Sequence, residues 1–141
     1  MAARDYRRDL EQIAESNHFV DDAYRLLEEW QKHAAEAEVF DPILEFMETH
    51  PALDFGAPGP LVHFMEDVAR SFYDSYTLAI RNSLARRPTG ATVALLNRII
   101  NGARSAEERR ELVELMGQLR NHPAATETAR AQASSHYERL R

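Results

Sequence analysis

Histidines that lie one helical turn from a glutamate are the residues whose spacing could support metal or acid–base chemistry. Glu15 and His18 have the Glu-x-x-His spacing of helical di-metal sites. His63 and Glu66 have the spacing of a general acid–base pair on one helical face. A di-metal site needs a second Glu-x-x-His motif, which the sequence lacks, and i, i+3 pairs are ordinary features of helix surfaces. We therefore predict no catalytic residue, no metal site and no cofactor.

The spacing of apolar residues predicts an all-α fold of six or seven helices. Apolar residues recur at intervals of three and four, and no segment of useful length alternates with a period of two. Residues 51–60 contain three prolines and two glycines and form the one substantial break. Asp41 before Pro42 predicts a helix start with Asp as the N-cap. Ser105 and Glu108 predict a capping box at a later start.

Three prolines recur after apolar helical segments and indicate a repeat. Pro51, Pro88 and Pro123 are separated by 37 and 35 residues, which is the period of helix–turn–helix repeats. We therefore expect the last two-thirds of the chain to form HEAT-like stacked helical hairpins, as a short right-handed solenoid or bundle. A non-repetitive bundle is the alternative. Between Leu61 and Leu84 the spacing predicts about seven helical turns, either as one straight helix or with a kink.

Length and composition indicate a single folded domain. The chain has 141 residues, 44% of them apolar, which is enough for one domain over residues 1–141 with a substantial core. No run approaches the roughly 18 apolar residues that span a bilayer. The first residues lack the apolar stretch of a secretory signal, and the absence of cysteine excludes disulfides and zinc–thiolate sites. Together these features favour a cytoplasmic protein.

Charge divides the chain near residue 75. Residues 1–75 contain 17 Asp or Glu and 6 Lys or Arg, a net charge of 6 − 17 = −11. Residues 76–141 contain 6 acids and 11 arginines, a net charge of 11 − 6 = +5, so the chain carries −6. A half with so much negative charge repels itself, which indicates a surface that meets something basic. The acidic balance disfavours nucleic acid, which requires a basic footprint.

The acids between Asp21 and Glu66 are predicted to form the rim of a partner-binding surface. Few lysines accompany them, although i, i+4 Glu–Lys pairs would neutralise a solvated helix face easily. Trp30 and Phe55 could anchor the centre of the surface if they are exposed, because aromatic residues dominate binding hot spots. The predicted partner-binding set is Asp21, Glu28, Glu36, Glu38, Asp41, Glu45, Glu48, Asp54, Phe55 and Glu66.

Two motifs carry a resemblance to a known family. One is the run Pro-Gly-Pro-Leu-Val-His-Phe over residues 58–64, and the other runs from Arg87-Pro-Thr through Thr-Val to Leu-Leu-Asn-Arg-Ile-Ile-Asn, which ends at Asn101. Together they resemble small helical immunity proteins encoded beside bacterial polymorphic toxins of contact-dependent-inhibition or type VI secretion systems. The resemblance covers residues 57–125 and does not extend to residues 1–55. It implies a cognate toxin domain as the partner and no active site.

The leading hypothesis is an immunity protein that binds and neutralises a cognate, basic, secreted toxin domain by stoichiometric protein–protein interaction. Such a protein needs no nucleic acid, membrane or small-molecule substrate, and we expect none as a partner. The alternative is a helical-repeat adaptor for another cytoplasmic protein, whose complex would depend less on salt. A small helical enzyme is a remote alternative, since the predicted inward positions are nearly all apolar.

Overall fold

Eight α-helices and one short 3₁₀ helix make up the part of the protein described by the computed structural model, residues 4–141. The protein is 71% helical, and this range contains no β-strand. The helices are α1 (Tyr6–Ile13), α2 (Phe19–Gln31), the 3₁₀ helix η1 (Ala37–Val39), α3 (Phe40–Thr49), α4 (Pro60–Ala69), α5 (Tyr73–Arg86), α6 (Gly90–Asn101), α7 (Ala106–Leu119) and α8 (Glu127–Leu140). The predicted all-α class is confirmed, whereas the HEAT-like stacking of hairpins stays a prediction.

The predicted seven-turn helix is two helices, which raises the helix number above the expected six or seven. The amides of Arg70, Ser71 and Phe72 bond to carbonyls only three residues earlier, so the chain tightens at the end of α4. A new α-helical ladder then starts when the Tyr76 amide bonds to the Phe72 carbonyl. No proline or glycine marks this break, which is why apolar spacing alone could not locate it.

The start of α3 also differs from its prediction. The predicted N-cap is Asp41, but η1 runs directly into the helix, and Val39 occupies the N-cap position. Asp41 and Pro42 therefore lie in the first turn of α3. Pro42 is tolerated there because the first amides of a helix have no partner within it. Asp41 lies where a carboxylate favours the positive end of the helix dipole.

The two family-like motifs are helix starts. Gly59 precedes Pro60 at the start of α4 and has φ = +94°, and a Cβ on Gly59 would lie 1.7 Å from the Phe55 carbonyl oxygen. A side chain is therefore excluded at this position. Thr89 caps α6 through a reciprocal capping box with Thr92. Both motifs thus have a structural role that needs no ligand.

The predicted cap of α7 is largely confirmed. The Ser105 hydroxyl accepts a hydrogen bond from the Glu108 amide at 3.0 Å. The Glu108 carboxylate reaches back one residue further than expected and accepts from the Arg104 amide, also at 3.0 Å. The Ser105 half of the capping box is therefore present, whereas the return bond goes to the amide before the N-cap residue and not to the N-cap amide itself.

Backbone contacts divide the chain into two compact units, unit 1 (Met1–Ala79) and unit 2 (Ile80–Arg141). The division falls inside α5, four residues after the change in charge. Residues 76–79 are uncharged, so unit 1 carries the whole −11 and unit 2 the whole +5. The electrostatic division of the sequence therefore coincides with a structural division. The predicted single domain stays a prediction.

Unit 1 has an aromatic core. In this unit α1 packs on α2 and α3, and α2 packs on α4. Trp30 is fully buried; its ring meets Tyr6 edge-on at 4.7 Å and Phe64 at 5.8 Å, and its indole N–H donates to Asp9 at 2.9 Å. Phe46 stacks on Phe19 at 5.9 Å. These rings hold α1 to α4 together and leave the polar faces of α2 and α3 outward.

Unit 2 has an aliphatic core. Its helices α6, α7 and α8 contact one another pairwise. α7 and α8 approach closely at Gly117, where a Cβ would lie 2.7 Å from the Tyr137 ring. A side chain at position 117 would therefore force the Tyr137 ring to move. The buried apolar side chains are Ile80, Leu84, Val93, Leu95, Leu96, Ile99, Ile100, Leu112, Met116, Leu119, Ala125, Ala129 and Ala133.

Candidate partner-binding surface

The outward side of α2 carries unneutralised negative charge. Arg25 pairs with Asp22 at 3.5 Å, and Lys32 pairs with Glu29 at 3.0 Å. The hydrogen bond from Lys32 and its positive charge lower the pKa of the Glu29 carboxyl. Both cations of this segment are thus engaged by adjacent acids. Asp21 and Glu28 are exposed and have no side-chain hydrogen bond or ion pair within residues 4–141.

Tyr24 lies between these two acids on the helix surface, three residues after Asp21 and four before Glu28. Those intervals place all three side chains on one face of α2, which we call the α2 face (Asp21, Tyr24 and Glu28). Half of the Tyr24 side chain is exposed (50%), and among the described residues only Leu78 is a comparably exposed large apolar side chain. Apolar spacing alone predicts Tyr24 on the inward stripe of its helix, and the structure corrects this. The α2 face therefore combines an exposed aromatic ring with two carboxylates.

A second acidic ridge runs along η1 and α3, and some of its carboxylates make hydrogen bonds or ion pairs within the protein. Glu38 accepts a hydrogen bond from the Tyr6 hydroxyl at 3.2 Å. Burial, followed by the Glu38 charge and hydrogen bond, raises the pKa of the Tyr6 phenol. Glu45 lies 3.8 Å from Arg7, which also bonds to Glu11 at 3.2 Å. Part of the charge on this ridge is therefore neutralised within unit 1.

Two exposed acids extend this ridge without a bonded neighbour. Glu36 precedes η1 and Asp41 lies in the first turn of α3, and both are exposed. Neither side chain has a hydrogen bond or ion pair within the described range. Both carboxylates are therefore accessible, and their contact with a basic partner stays a prediction.

Three residues proposed from the sequence are buried. Glu48 is only 7% exposed, Phe55 is 6% exposed and Trp30 is fully buried. Phe55 packs edge-on against Phe19 and Phe46, at 5.9 and 6.0 Å, so it fixes the loop to the core. The prediction that Glu48 and Phe55 contact a partner is thus corrected, and the exposure required of Trp30 is not met. Because Phe55 lies in a loop, the sequence predicts that its ring is exposed. Packing against other aromatic rings buries it instead.

The remaining predicted residues have local roles. Asp54 is exposed, and its carboxylate accepts a hydrogen bond from the Gly56 amide at 2.9 Å, which closes a turn before α4. Glu66 is half-buried on α4. The structure thus leaves Asp21, Glu28, Glu36 and Asp41 as the members of the predicted set that are both exposed and unpaired within residues 4–141.

Unit 1 has few cations available for these acids. Among its six Lys and Arg residues, five lie within ion-pair distance of a carboxylate: Arg4 with Asp9, Arg7 with Glu11 and Glu45, Arg25 with Asp22, Lys32 with Glu29, and Arg70 with Asp67. Because these cations are engaged locally, the α2 face keeps its negative charge, and a cation from outside could approach it without displacing an internal partner.

The histidines of the described residues do not join a cluster of metal-ligating side chains. Across the described residues there is no group of three or more His, Asp or Glu side chains able to hold a metal ion. His18 is the N-cap residue of α2 without a capping side-chain bond, and His63 is exposed on α4. The candidate pairs at Glu15–His18 and His63–Glu66 therefore gain no further ligands from the fold.

No protein-family model matches this chain, and comparison with curated proteins and with solved structures gives no significant similarity. None of the helices in residues 4–141 combines the length and the apolar character that crossing a membrane requires. The α2 face and the exposed acids beside it are thus interpreted from their own geometry and charge.

Proposed function

We propose that this protein binds a basic partner protein through unit 1 and inhibits it stoichiometrically. The observation that carries the proposal is the α2 face, where the exposed Tyr24 ring lies between the unpaired carboxylates of Asp21 and Glu28. Tyrosine is enriched at binding hot spots because it offers a large, rigid contact area with one polar end. The flanking carboxylates would pair with lysine or arginine on the partner and fix its orientation.

The excess charge of unit 1 supports rapid capture of such a partner. A net charge of −11 in residues 1–79 produces a field that attracts a basic protein before contact. Electrostatic steering of this kind raises association rates toward about 10⁸–10⁹ M⁻¹s⁻¹ at low salt. An inhibitor that must act before its target causes damage would benefit from this speed.

We propose further that the partner is a cognate toxin domain and that the protein confers immunity on the cell that makes the toxin. The resemblance over residues 57–125 supports this assignment, and so does the expectation that toxins acting on nucleic acids are basic. In this proposal residues 1–55, which lie outside the resemblance, supply partner specificity. Inhibition requires no chemistry from the immunity protein, only coverage of the toxin's active site or of a surface beside it.

A growth assay with the adjacent gene tests this function. The C-terminal domain encoded by the gene immediately upstream is expressed from an inducible promoter, with and without this protein. We expect growth arrest that is relieved by the wild-type protein, together with a one-to-one complex in size-exclusion chromatography. Rescue should fail with the Asp21→Lys/Tyr24→Ala/Glu28→Lys variant, provided that circular dichroism shows a folded protein. A harmless upstream domain, or equal rescue by the variant, would overturn the proposal.

We also propose that the helices following Pro51, Pro88 and Pro123 form a HEAT-like stack, with α4–α5 and α6–α7 as hairpins and α8 as a single last helix. Each proline follows the end of an odd-numbered helix, α3, α5 or α7, as expected for a repeated unit. Repeat proteins lose cooperativity when their units unfold separately. We therefore expect Trp30 fluorescence, which reports on unit 1, and far-ultraviolet circular dichroism to give different urea midpoints. Coincident transitions would favour a single non-repetitive bundle.

A further inference from the structure

A groove of about 510 Å³ crosses the surface of unit 2 between the second half of α5 and α7. Its volume falls within the ~300–1,000 Å³ range of ligand clefts. Leu84 and Leu119, both buried, form its floor, together with the half-buried Leu115. The polar residues at its edge are Arg81, Glu111, Glu114, Gln118 and His122. The groove therefore combines an apolar base with a small number of polar groups.

The groove carries one uncompensated negative charge. Arg81 on α5 pairs with Glu111 on α7 at 3.5 Å, so these two charges largely cancel. Glu114, one helical turn further along α7, is exposed and has no hydrogen bond or ion pair within the described residues. A ligand with one positive charge would therefore complement the groove, whereas an anion would meet Glu114.

His122 lines the groove and is held in place by two backbone groups. Its Nε2 lies 3.0 Å from the Ala85 carbonyl oxygen, and its Nδ1 lies 3.1 Å from the Ala124 amide nitrogen. The carbonyl can only accept and the amide can only donate, so these partners fit a neutral ring with the proton on Nε2. Both ring nitrogens are thus occupied by backbone groups, and His122 shapes the groove rather than pairing with a ligand.

We propose that this groove binds an arginine side chain presented by a partner protein. The aliphatic stem would lie on Leu84 and Leu115, because long cationic side chains bury their methylenes on apolar surface. The guanidinium would pair with Glu114 and donate to the Gln118 amide oxygen, which lies one turn away on the same face of α7. Arginine fits better than lysine because its planar group has five donors in a fixed geometry and can serve two acceptors at once. This site is separate from the α2 face and does not depend on the proposed function.

Amide NMR of the full-length protein tests the site with defined probes. Acetyl-Leu-Arg-Leu-amide should shift the resonances of residues around the groove, including Ala85, Leu115 and Gln118. The same peptide with citrulline in place of arginine has nearly the same shape and no charge, and it should cause at most a small fraction of these shifts. A lysine peptide should bind more weakly than the arginine peptide.

Matched variants on α7 distinguish the groove from general negative charge. Glu114→Gln should weaken binding of the arginine peptide about threefold to fivefold, as expected for loss of a partly exposed charge pair. Glu107→Gln removes one negative charge from the same helix outside the groove and should leave the affinity unchanged. Equal shifts with the citrulline peptide, equal affinity for the lysine peptide, shifts located elsewhere, or equal effects of the two variants would each overturn the proposal.

Discussion

Unit 1 and unit 2 are built from different side chains and carry opposite charge. Unit 1 contains the one tryptophan, all six phenylalanines and four of the five tyrosines, whereas Tyr137 is the one aromatic residue of unit 2. Unit 1 has a net charge of −11 and unit 2 of +5. The two units are therefore stabilised in different ways: large rings stabilise a unit whose charged surface repels itself, while aliphatic packing stabilises a more weakly charged unit.

The difference has a physical basis. Aromatic side chains bury about 150–250 Å² each, so a few rings contribute a large share of the hydrophobic stabilisation of unit 1. That contribution offsets the repulsion among exposed acids on the same helices. Unit 2 instead relies on close helix approach at Gly117 and on buried alanines such as Ala129 and Ala133. Comparable substitutions in the two units test this difference.

The largest expected effect is the loss of an aromatic ring from the core of unit 1. Phe46 is fully buried between Phe19 and Phe55, so Phe46→Ala should lower the free energy of unfolding by about 3–5 kcal/mol. Urea denaturation followed by Trp30 fluorescence measures the change. Leu96→Ala, at a fully buried position in unit 2, is the aliphatic comparison; followed by far-ultraviolet circular dichroism, it should cost about 2–5 kcal/mol. A loss below about 1 kcal/mol for Phe46→Ala would contradict a core that depends on its rings.

The next largest effect is the difference in stability between reversing the charge of a buried acid and reversing that of an exposed acid in unit 1. Glu48→Lys places an ammonium group at a position that is only 7% exposed, and we expect a loss of roughly 3 kcal/mol in the free energy of unfolding. Glu36→Lys makes the same charge change at an exposed position and should alter stability by about 0.5 kcal/mol or less. Thermal or urea unfolding of the two variants tests the distinction. If the two variants lost similar amounts of unfolding free energy, the difference in burial between Glu48 and Glu36 would have no effect on stability.

The fold class could be predicted from the sequence because apolar residues at intervals of three and four line one face of a helix and would not line one face of a strand. The start of α7 was also accessible, because its capping residue Ser105 and the following Glu108 are recognisable in the sequence. The break after Ala69 could not be predicted from the sequence, since hydrogen bonds to carbonyls three residues earlier, and not a proline or glycine, end α4 there. The position of the charge change was visible in the sequence, but its coincidence with a structural division required the contacts between helices.

A smaller effect is expected at the close crossing of α7 and α8 in unit 2. Gly117→Ala would bring a methyl group to 2.7 Å from the Tyr137 ring, which also packs against the Arg120 guanidinium at 4.2 Å. The ring must move, so we expect a loss of about 1–3 kcal/mol. Adding Tyr137→Leu should recover part of that loss in a double-mutant cycle. Additive effects of the two substitutions would show that this contact does not control the crossing.

The smallest effect is a pH dependence in unit 2. Burial, and then the neighbouring Arg139, lower the pKa of His136 below its ordinary value of 6.5. As the pH falls, the His136 ring therefore takes up a proton in the unfolded chain before it does so in the folded protein. Above about pH 6.5 the ring is neutral in both states and the protein keeps its full stability. Below about pH 6.5 protonation favours the unfolded chain, and stability falls. His136→Gln should flatten that dependence in urea titrations at several pH values. His63→Gln, in unit 1, serves as the control, and an unchanged profile for His136→Gln would contradict the assignment.

The candidate surface was only partly predictable. Exposed acids such as Asp21 and Glu28 follow from charge and helical position, whereas the position of Tyr24 beside inward residues of α2 predicts a core residue. The spacing of apolar residues locates the buried face of a helix only to within one position. Whether a residue at the edge of that face is buried therefore depends on packing against neighbouring helices. The prediction for Phe55 fails for the opposite reason, because its loop folds back onto Phe19 and Phe46.

The central claim is that the acids of unit 1, and the α2 face in particular, steer and hold a basic partner. Stopped-flow association with the proposed partner, the C-terminal domain of the upstream gene, tests this claim most directly. The rate constant is measured for the wild type, for Asp21→Lys/Glu28→Lys in unit 1, and for Glu107→Lys/Glu127→Lys in unit 2, over a range of salt concentrations. Both pairs change the net charge of the protein equally, so the comparison isolates where the charge lies.

We expect the unit 1 pair to slow association by about tenfold or more at low salt and to flatten its dependence on ionic strength. The unit 2 pair should change the rate constant by about twofold or less, because its charges lie outside the α2 face. Equal slowing by the two pairs would show that only net charge matters, and an unchanged rate constant for the unit 1 pair would contradict docking through the α2 face.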